Sequence, residues 1–167
     1  MNNYNALPFD KDSVEASDLN DTDKNILTNI GFPCGENIPI TYDDYEQDFN
    51  VIKNTLFENK GIVSIAKDKW TDTYIIIASS NHALYLYHHN HNFTFINSSL
   101  SLFLSFQTIC QNFFMENPEF NDEKYTNDKE GLHKIDKLKK ELIALDKKAF
   151  GDENSPWSFF IEELTYI

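Results

Sequence analysis

A chain of 167 residues is long enough for one well-filled core, since a domain of about 150 residues buries roughly 70% of its unfolded surface. Its fourteen cations, all lysine, face twenty-seven acids for a net charge of −13; nucleic acid and anionic membranes repel such a chain, which also lacks the planar guanidinium that reads bases and phosphates. Basic protein surfaces are the partners this balance favours.

The chain reads as a single domain over residues 1–167, with residues 1–6 peripheral. The first helix signal is the run from Asn20 to Pro33. Asn20 or Asp21 caps it, Ile26, Leu27 and Ile30 form its apolar stripe, and Gly31 with Pro33 stops it. Ile38–Tyr42 has the composition of a short strand. Tyr42, Tyr45, Phe49, Ile52 and Leu56 then recur at spacings of three, four, three and four, which predicts a helix. Asp43, Asp44, Glu46 and Asp48 lie between those apolar positions, in its first turns, where the helix dipole favours acids.

From Gly61 the period changes. Gly61–Ala66, Thr73–Ala78, Ala83–Tyr87 and Phe93–Ile96 read as strands joined by short polar turns, the pattern of an antiparallel meander. Asn97, Ser98 or Ser99 caps an apolar helix running to Phe114 or Met115, with Leu102, Phe103, Phe106, Ile109, Cys110 and Phe113 on its buried face. A polar, acidic connection leads to a lysine-rich helix with Leu132, Ile135, Leu138, Leu142 and Leu145 on one side. The segment 151–156 (GDENSP) breaks it, and Trp157–Leu164 forms a last short helix. The fold class is therefore α+β, an antiparallel sheet of about five to six strands flanked by helices.

Charge follows this division. Residues 1–60 carry −8, residues 61–115 are neutral and residues 116–167 carry −5, as expected of a buried middle between charged ends. Two cysteines, Cys34 and Cys110, make no disulfide framework and suit a reduced compartment. The opening residues 1–12 have no basic region followed by an apolar run, and the most apolar window, Leu100–Phe114, is too short and too interrupted to span a bilayer. A cytoplasmic location follows from these readings.

Chemistry has few places to reside. His82, His88, His89 and His91 fall within ten residues, and two or three could meet at a hairpin end as metal ligands. No cysteine or carboxylate lies at ligand spacing within that segment, so it reads as a polar turn in an asparagine-rich stretch. Neither a nucleophile elbow nor a glycine-rich phosphate loop occurs, and Cys110 falls on the buried side of its helix. No catalytic residue, metal or cofactor is assigned. Thr41–Phe49 stands out instead: Tyr42 and Tyr45 interleaved with Asp43, Asp44, Glu46 and Asp48 suit a basic, partly apolar partner, because aromatics anchor and charges steer. The alternative is a solvated helix end whose aromatics face inward.

Three stretches taken together carry a resemblance: TNIGFPCG at 28–35, FTFINSSLSLFLSF at 93–106 and PWSFFIEEL at 156–164. Their order and spacing resemble the SUKH superfamily of bacterial immunity proteins, most closely its fourth immunity family. Gly31 and Pro33 match that family's first element, Phe95, Asn97, Ser99, Leu100, Phe103 and Leu104 its strand-to-helix junction, and Trp157 its closing helix. The resemblance implies structural roles for all of these: a C-cap, an N-cap and core packing. The acidic stretch around Thr41–Lys60 and the extra histidines depart from the family pattern.

It also implies a job, neutralising a co-encoded toxin of nuclease or deaminase type by stoichiometric binding. A monomer or weak homodimer is the expected state. An intracellular scaffold or regulator of the same superfamily is the alternative within binding proteins. A small metal-dependent enzyme using the His82–His91 turn is the contrasting class.

Overall fold

The computed structural model describes residues 6–33, 39–40, 45–58, 60–88, 92–121 and 128–166. Among the described residues five helices and five strands follow one another as α1 (Lys11–Glu15), α2 (Asp21–Asn29), β1 (Tyr45–Phe57), β2 (Lys60–Asp68), β3 (Thr73–Ala78), β4 (Leu84–His88), β5 (Asn92–Asn97), α3 (Leu100–Glu116), α4 (Lys129–Leu145) and α5 (Pro156–Thr165). Short 3-10 turns at Pro118–Asn121 and Lys147–Phe150 follow α3 and α4. The strands pair antiparallel in sequence order, β1-β2-β3-β4-β5. The expected α+β meander is thus present, with five strands.

Each helix begins where a side chain can satisfy the free N–H groups of its first turn. Asn20 accepts from the Asp23 N–H, and its amide donates back to the Asp23 carboxylate, both at 2.8 Å. Ser99 accepts from the Leu102 N–H at 3.2 Å. Asp128 accepts from Glu130 and Gly131 at 2.9 and 2.8 Å. Ser155 caps α5, whose first residue, Pro156, has no N–H to leave unsatisfied. Asp10 caps α1 by accepting from the Ser13 N–H at 2.9 Å, a short helix that the sequence pattern did not signal.

One face of the sheet carries the main core. Val63, Ile65, Ile75, Ile77, Leu84 and Ile96 point into it and meet Leu27, Phe103, Phe106, Leu138, Leu142, Trp157 and Ile161 from the helices. Trp157 is fully buried and packs edge-on against Phe106 with ring centroids 4.9 Å apart. Phe32, from the loop after α2, stacks on Phe103 at 5.1 Å. The other face carries a smaller cluster made by strand residues: Ile62, Ile76, Ala78 and Tyr87 are buried there, and Ile52, Phe57, Tyr74, Tyr85 and Phe93 pack around them.

The segment expected to be helical is the strand β1. Tyr45, Phe49 and Val51 pack on the helix-side core, and Gln47 joins them by donating to the Phe32 carbonyl. Asp48 points the opposite way, its carboxylate 3.3 Å from the Ser64 hydroxyl, and Ile52 packs in the second cluster. The period is two, with a glutamine at an inward position that breaks its apolar signature. Register shifts between Gln47 and Asn50 and between Ile52 and Phe57 interrupt the ladder to β2, as β-bulges do on edge strands. The strand expected over Ile38–Tyr42 lies largely outside the described residues; Pro39 and Ile40 are buried in a turn. On α4, Ile135, Leu138 and Leu142 are buried, whereas Leu132 and Leu145, expected beside them, are exposed.

Candidate partner-binding surface

The motif residues singled out from the three quoted stretches occupy the framework. Gly31 sits just past α2 with φ +86°, and a Cβ there would lie 2.0 Å from the Leu7 carbonyl oxygen, so both the left-handed backbone and the close approach demand glycine. Pro33 is buried beside it. Leu100 and Phe103 are fully buried, Leu104 packs against the core, and Phe95 meets Tyr85 edge-on at 5.4 Å.

Asn97 is not the cap of α3; Ser99 is. The Asn97 side chain, fully buried, accepts from the Trp157 indole N–H at 2.9 Å and donates to Asp146 at 3.3 Å. Asp146, 5% exposed between α4 and the 3-10 turn, also accepts from the Ser98 N–H at 2.7 Å and the Ser98 hydroxyl at 2.9 Å. Asp146 therefore ties the end of α4 to the junction, and Asn97 ties the junction to α5, through a carboxylate that the sequence pattern does not single out. A lone aspartate after an amphipathic helix carries no signal of a contact 49 residues away in sequence.

The acidic segment divides at β1. Tyr42, Asp43 and Asp44 lie outside the described residues. Tyr45 is half-buried against the core, so it is turned away from solvent and does not stand as an aromatic anchor. Glu46 is exposed and Asp48 half-exposed on this edge strand, two residues apart and so on one side of it. Tyr45 is opposite Asp68 and Glu46 opposite Lys67 in the register with β2, which brings the β2–β3 turn to the same end of the sheet. Asp68 fixes that turn by accepting from the Trp70 and Thr71 N–H groups at 2.8 and 2.7 Å. The turn presents Trp70 80% exposed, with Asp72 exposed after it. Lys67 leans over the Tyr74 ring at 5.5 Å. This end of the sheet thus carries Glu46, Asp68 and Asp72 together with Lys67, Lys69 and one large exposed aromatic, and Asp48 follows further along β1 beside Ser64. In the sequence Trp70 falls in the short polar turn between two strands, where an indole among lysines and aspartates is the available signal.

The two described histidines of the run, His82 and His88, lie apart. His82, in the left-handed turn before β4 (φ 59°), lies 3.7 Å from Asp23 of α2, whereas His88, at the far end of β4, shares a hydrogen bond with Thr73. His89 and His91 are outside the described residues. Among the described residues no group of three or more His, Cys, Asp or Glu side chains is placed to hold a metal ion. Burial pushes the Asp23 carboxyl above its ordinary range, opposed by the nearby His82 and by the Asn20 hydrogen bond. Burial also drives the Cys110 thiol far up, with Glu141 adding to the effect, which leaves it a poor nucleophile at neutral pH. No helix among the described residues is long and apolar enough to cross a membrane.

A family model described as SUKH-4 immunity protein matches residues 5–163, nearly the whole chain. No curated protein and no solved structure matches.

Proposed function

The chain belongs to the SUKH-4 immunity protein family, and on that premise we propose that it binds and neutralises a cognate bacterial toxin by stoichiometric contact in the cytoplasm. The toxin is of nuclease or deaminase type, with a basic surface. The observation that carries this reading is the end of the sheet where Glu46, with Asp48 further along the same edge strand, lies near a turn that presents Trp70 80% exposed. Asp43, Asp44 and Tyr42 immediately precede that strand and belong to the same contact.

The physics of such a contact follows from the partner's own task. An enzyme that works on nucleic acid needs a positive groove for phosphates. Carboxylates on a rigid strand fit that groove, steer association and compete with the substrate for the same cations. A large aromatic at the centre supplies the slow dissociation that charge does not. Tyr45, turned inward, contributes by holding β1 on the core.

The test uses the toxin domain encoded beside this chain's gene. Asp43→Asn, Asp44→Asn, Glu46→Gln and Asp48→Asn are introduced together, and association rates are measured at low and high salt. Wild type should associate ~10–1,000-fold faster than the variant at low salt, with the gap closing as the Debye length shrinks. Trp70→Ala should act on the dissociation rate. A wild type that neither binds this domain nor protects cells expressing it overturns the immunity reading.

A further inference from the structure

The end of β1 crosses the sheet face that carries the smaller cluster. Ile52 is paired with Ile62 and Phe57 with Lys60, so the five steps from Ile52 to Phe57 are set against only two on β2. Extra residues of this kind bend a strand out of its ladder. Phe57 accordingly lies over strands that are not its neighbours. Its ring centroid is 4.6 Å from Tyr85 on β4 and 4.9 Å from Phe93 on β5. In the plane of the sheet β2 and β3 stand between β1 and β4, a span of ~14 Å for strands about 4.8 Å apart. Glu58 follows at φ +50°, a left-handed backbone that is costly for any residue with a Cβ.

Beneath Phe57 the cluster is aromatic, and among the described residues only strands contribute to it. Phe93 meets Tyr87 at 5.0 Å and Tyr85 at 6.4 Å, and Tyr87 meets Tyr74 at 6.2 Å. Tyr74, Tyr85 and Phe93 stay half-buried with Phe57 in place, and Phe57 is half-buried itself, so the cover is partial. The rim is acidic. Asp48 stands on this face beside Ser64. Burial raises the Tyr85 hydroxyl above its ordinary pKa, the Asn81 hydrogen bond opposes the rise, and the Glu58 charge adds to it, which sets that carboxylate near the ring. Lys67, over the Tyr74 ring at 5.5 Å, shows that the face accepts a cation.

The contact thus has two unequal sides. Tyr85 and Phe93 sit on β4 and β5, whereas Phe57 is brought to them by an edge strand whose ladder to β2 is interrupted. Separating them gives up the packing of one ring and leaves the main core, on the far face, in place. Segments held in this way open locally, without global unfolding.

We propose that the end of β1 is a strap: in the free protein Phe57 occupies the socket formed by Tyr85 and Phe93, and the partner binds by displacing it. An apolar side chain of the partner takes the place of the Phe57 ring, and a lysine or arginine beside it meets the acidic rim. The proposal rests on the reading of the chain as a binder of a basic toxin and deepens it, because Asp48 belongs both to the edge contact and to this rim. Affinity for the partner is then discounted by the fraction of time the strap stands closed.

The two sides of this one contact should answer with opposite signs. The toxin domain encoded beside this chain's gene is titrated into wild type, Phe57→Ala and Tyr85→Ala/Phe93→Ala. Phe57→Ala should bind ~3–10-fold tighter, through faster association, because the socket no longer has to open. Tyr85→Ala/Phe93→Ala should bind at least ~10-fold more weakly. A ring that only covers the sheet, or that itself touches the partner, gives no change or a loss for Phe57→Ala, and either result overturns the strap. Should an alanine variant fail to fold, Phe57→Leu and Phe93→Leu take its place, and the opposite signs are required of them too. Amide hydrogen exchange in the wild type is a check that needs no toxin. Residues 53–57 should exchange at least ~10-fold faster than residues 45–51 of the same strand, and equal protection overturns the proposal. If wild type binds the toxin domain and Phe57→Ala binds it no tighter, the immunity reading stands without the strap. If wild type does not bind the toxin domain, the immunity reading falls, and amide exchange alone judges the strap.

Discussion

Replacing Asp146 by alanine isolates the junction that joins sheet and helices. The carboxylate accepts from the Ser98 N–H at 2.7 Å, the Ser98 hydroxyl at 2.9 Å and the Asn97 amide at 3.3 Å. Its removal leaves two short donors and one long one without an acceptor, and each buried donor left unmet costs about 1–3 kcal/mol. Relief from burying a carboxylate acts in the opposite direction, as does the freedom of the half-buried Ser98 hydroxyl to turn toward water. The balance centres on a loss of ~3 kcal/mol. Asp146→Asn keeps the shape and one acceptor oxygen, and should lose about half as much. Urea unfolding gives the measurement. The chain has two tryptophans, so a Trp70→Phe background makes the buried Trp157 the reporter. With a slope of ~2 kcal/mol per molar urea, a 3 kcal/mol loss moves the midpoint down by ~1.5 M. A shift for Asp146→Ala within ~0.5 kcal/mol of the parent would refute the claim that this carboxylate holds the junction. Equal losses for alanine and asparagine would attribute the effect to charge instead.

Ser99→Ala should cost ~1 kcal/mol as a lost helix cap, whereas Asn97→Ala should cost ~2 kcal/mol because it leaves the Trp157 indole N–H unmet; equal thermal shifts would undo that division of roles. Gly31→Ala should cost more than the ~1–2 kcal/mol of a left-handed backbone, since the Leu7 carbonyl must also move, and a melting temperature close to wild type would contradict the geometry. Asp23 makes stability depend on pH. Its carboxyl is raised in the folded state above the ordinary 3.8, so between the two values the native state holds more protons, and stability falls as pH rises through that window and is greatest below it. Asp23→Asn should remove this component, so wild-type stability relative to the variant should fall as pH climbs above 3.8; a constant difference across that range would show that Asp23 is not the source.

Much of the fold is written locally. The switch from period two to period 3.6 near Asn97, the serine and asparagine caps, and the polar turns between β-branched runs locate β2 to β5, α2, α3, α4 and α5, because each signal depends on neighbours a few residues away. Net charge and the missing arginine are likewise read without any coordinates, and the basic partner proposed above rests on them. What depends on distant residues was decided by the tertiary structure. Gln47 faces inward because the Phe32 carbonyl waits there, and that single polar residue hides the alternation of β1 behind an apparent helical stripe. It also turns Tyr45 inward and leaves Glu46 exposed. Asp146 and Trp157 gain their roles from Asn97, 49 and 60 residues away. Trp70 becomes conspicuous only once the β1–β2 register sets its turn beside the acids of the edge strand. A hydrogen bond between residues far apart in sequence leaves no periodic trace, so the chain can specify its elements in its own order while only their packing specifies the surface.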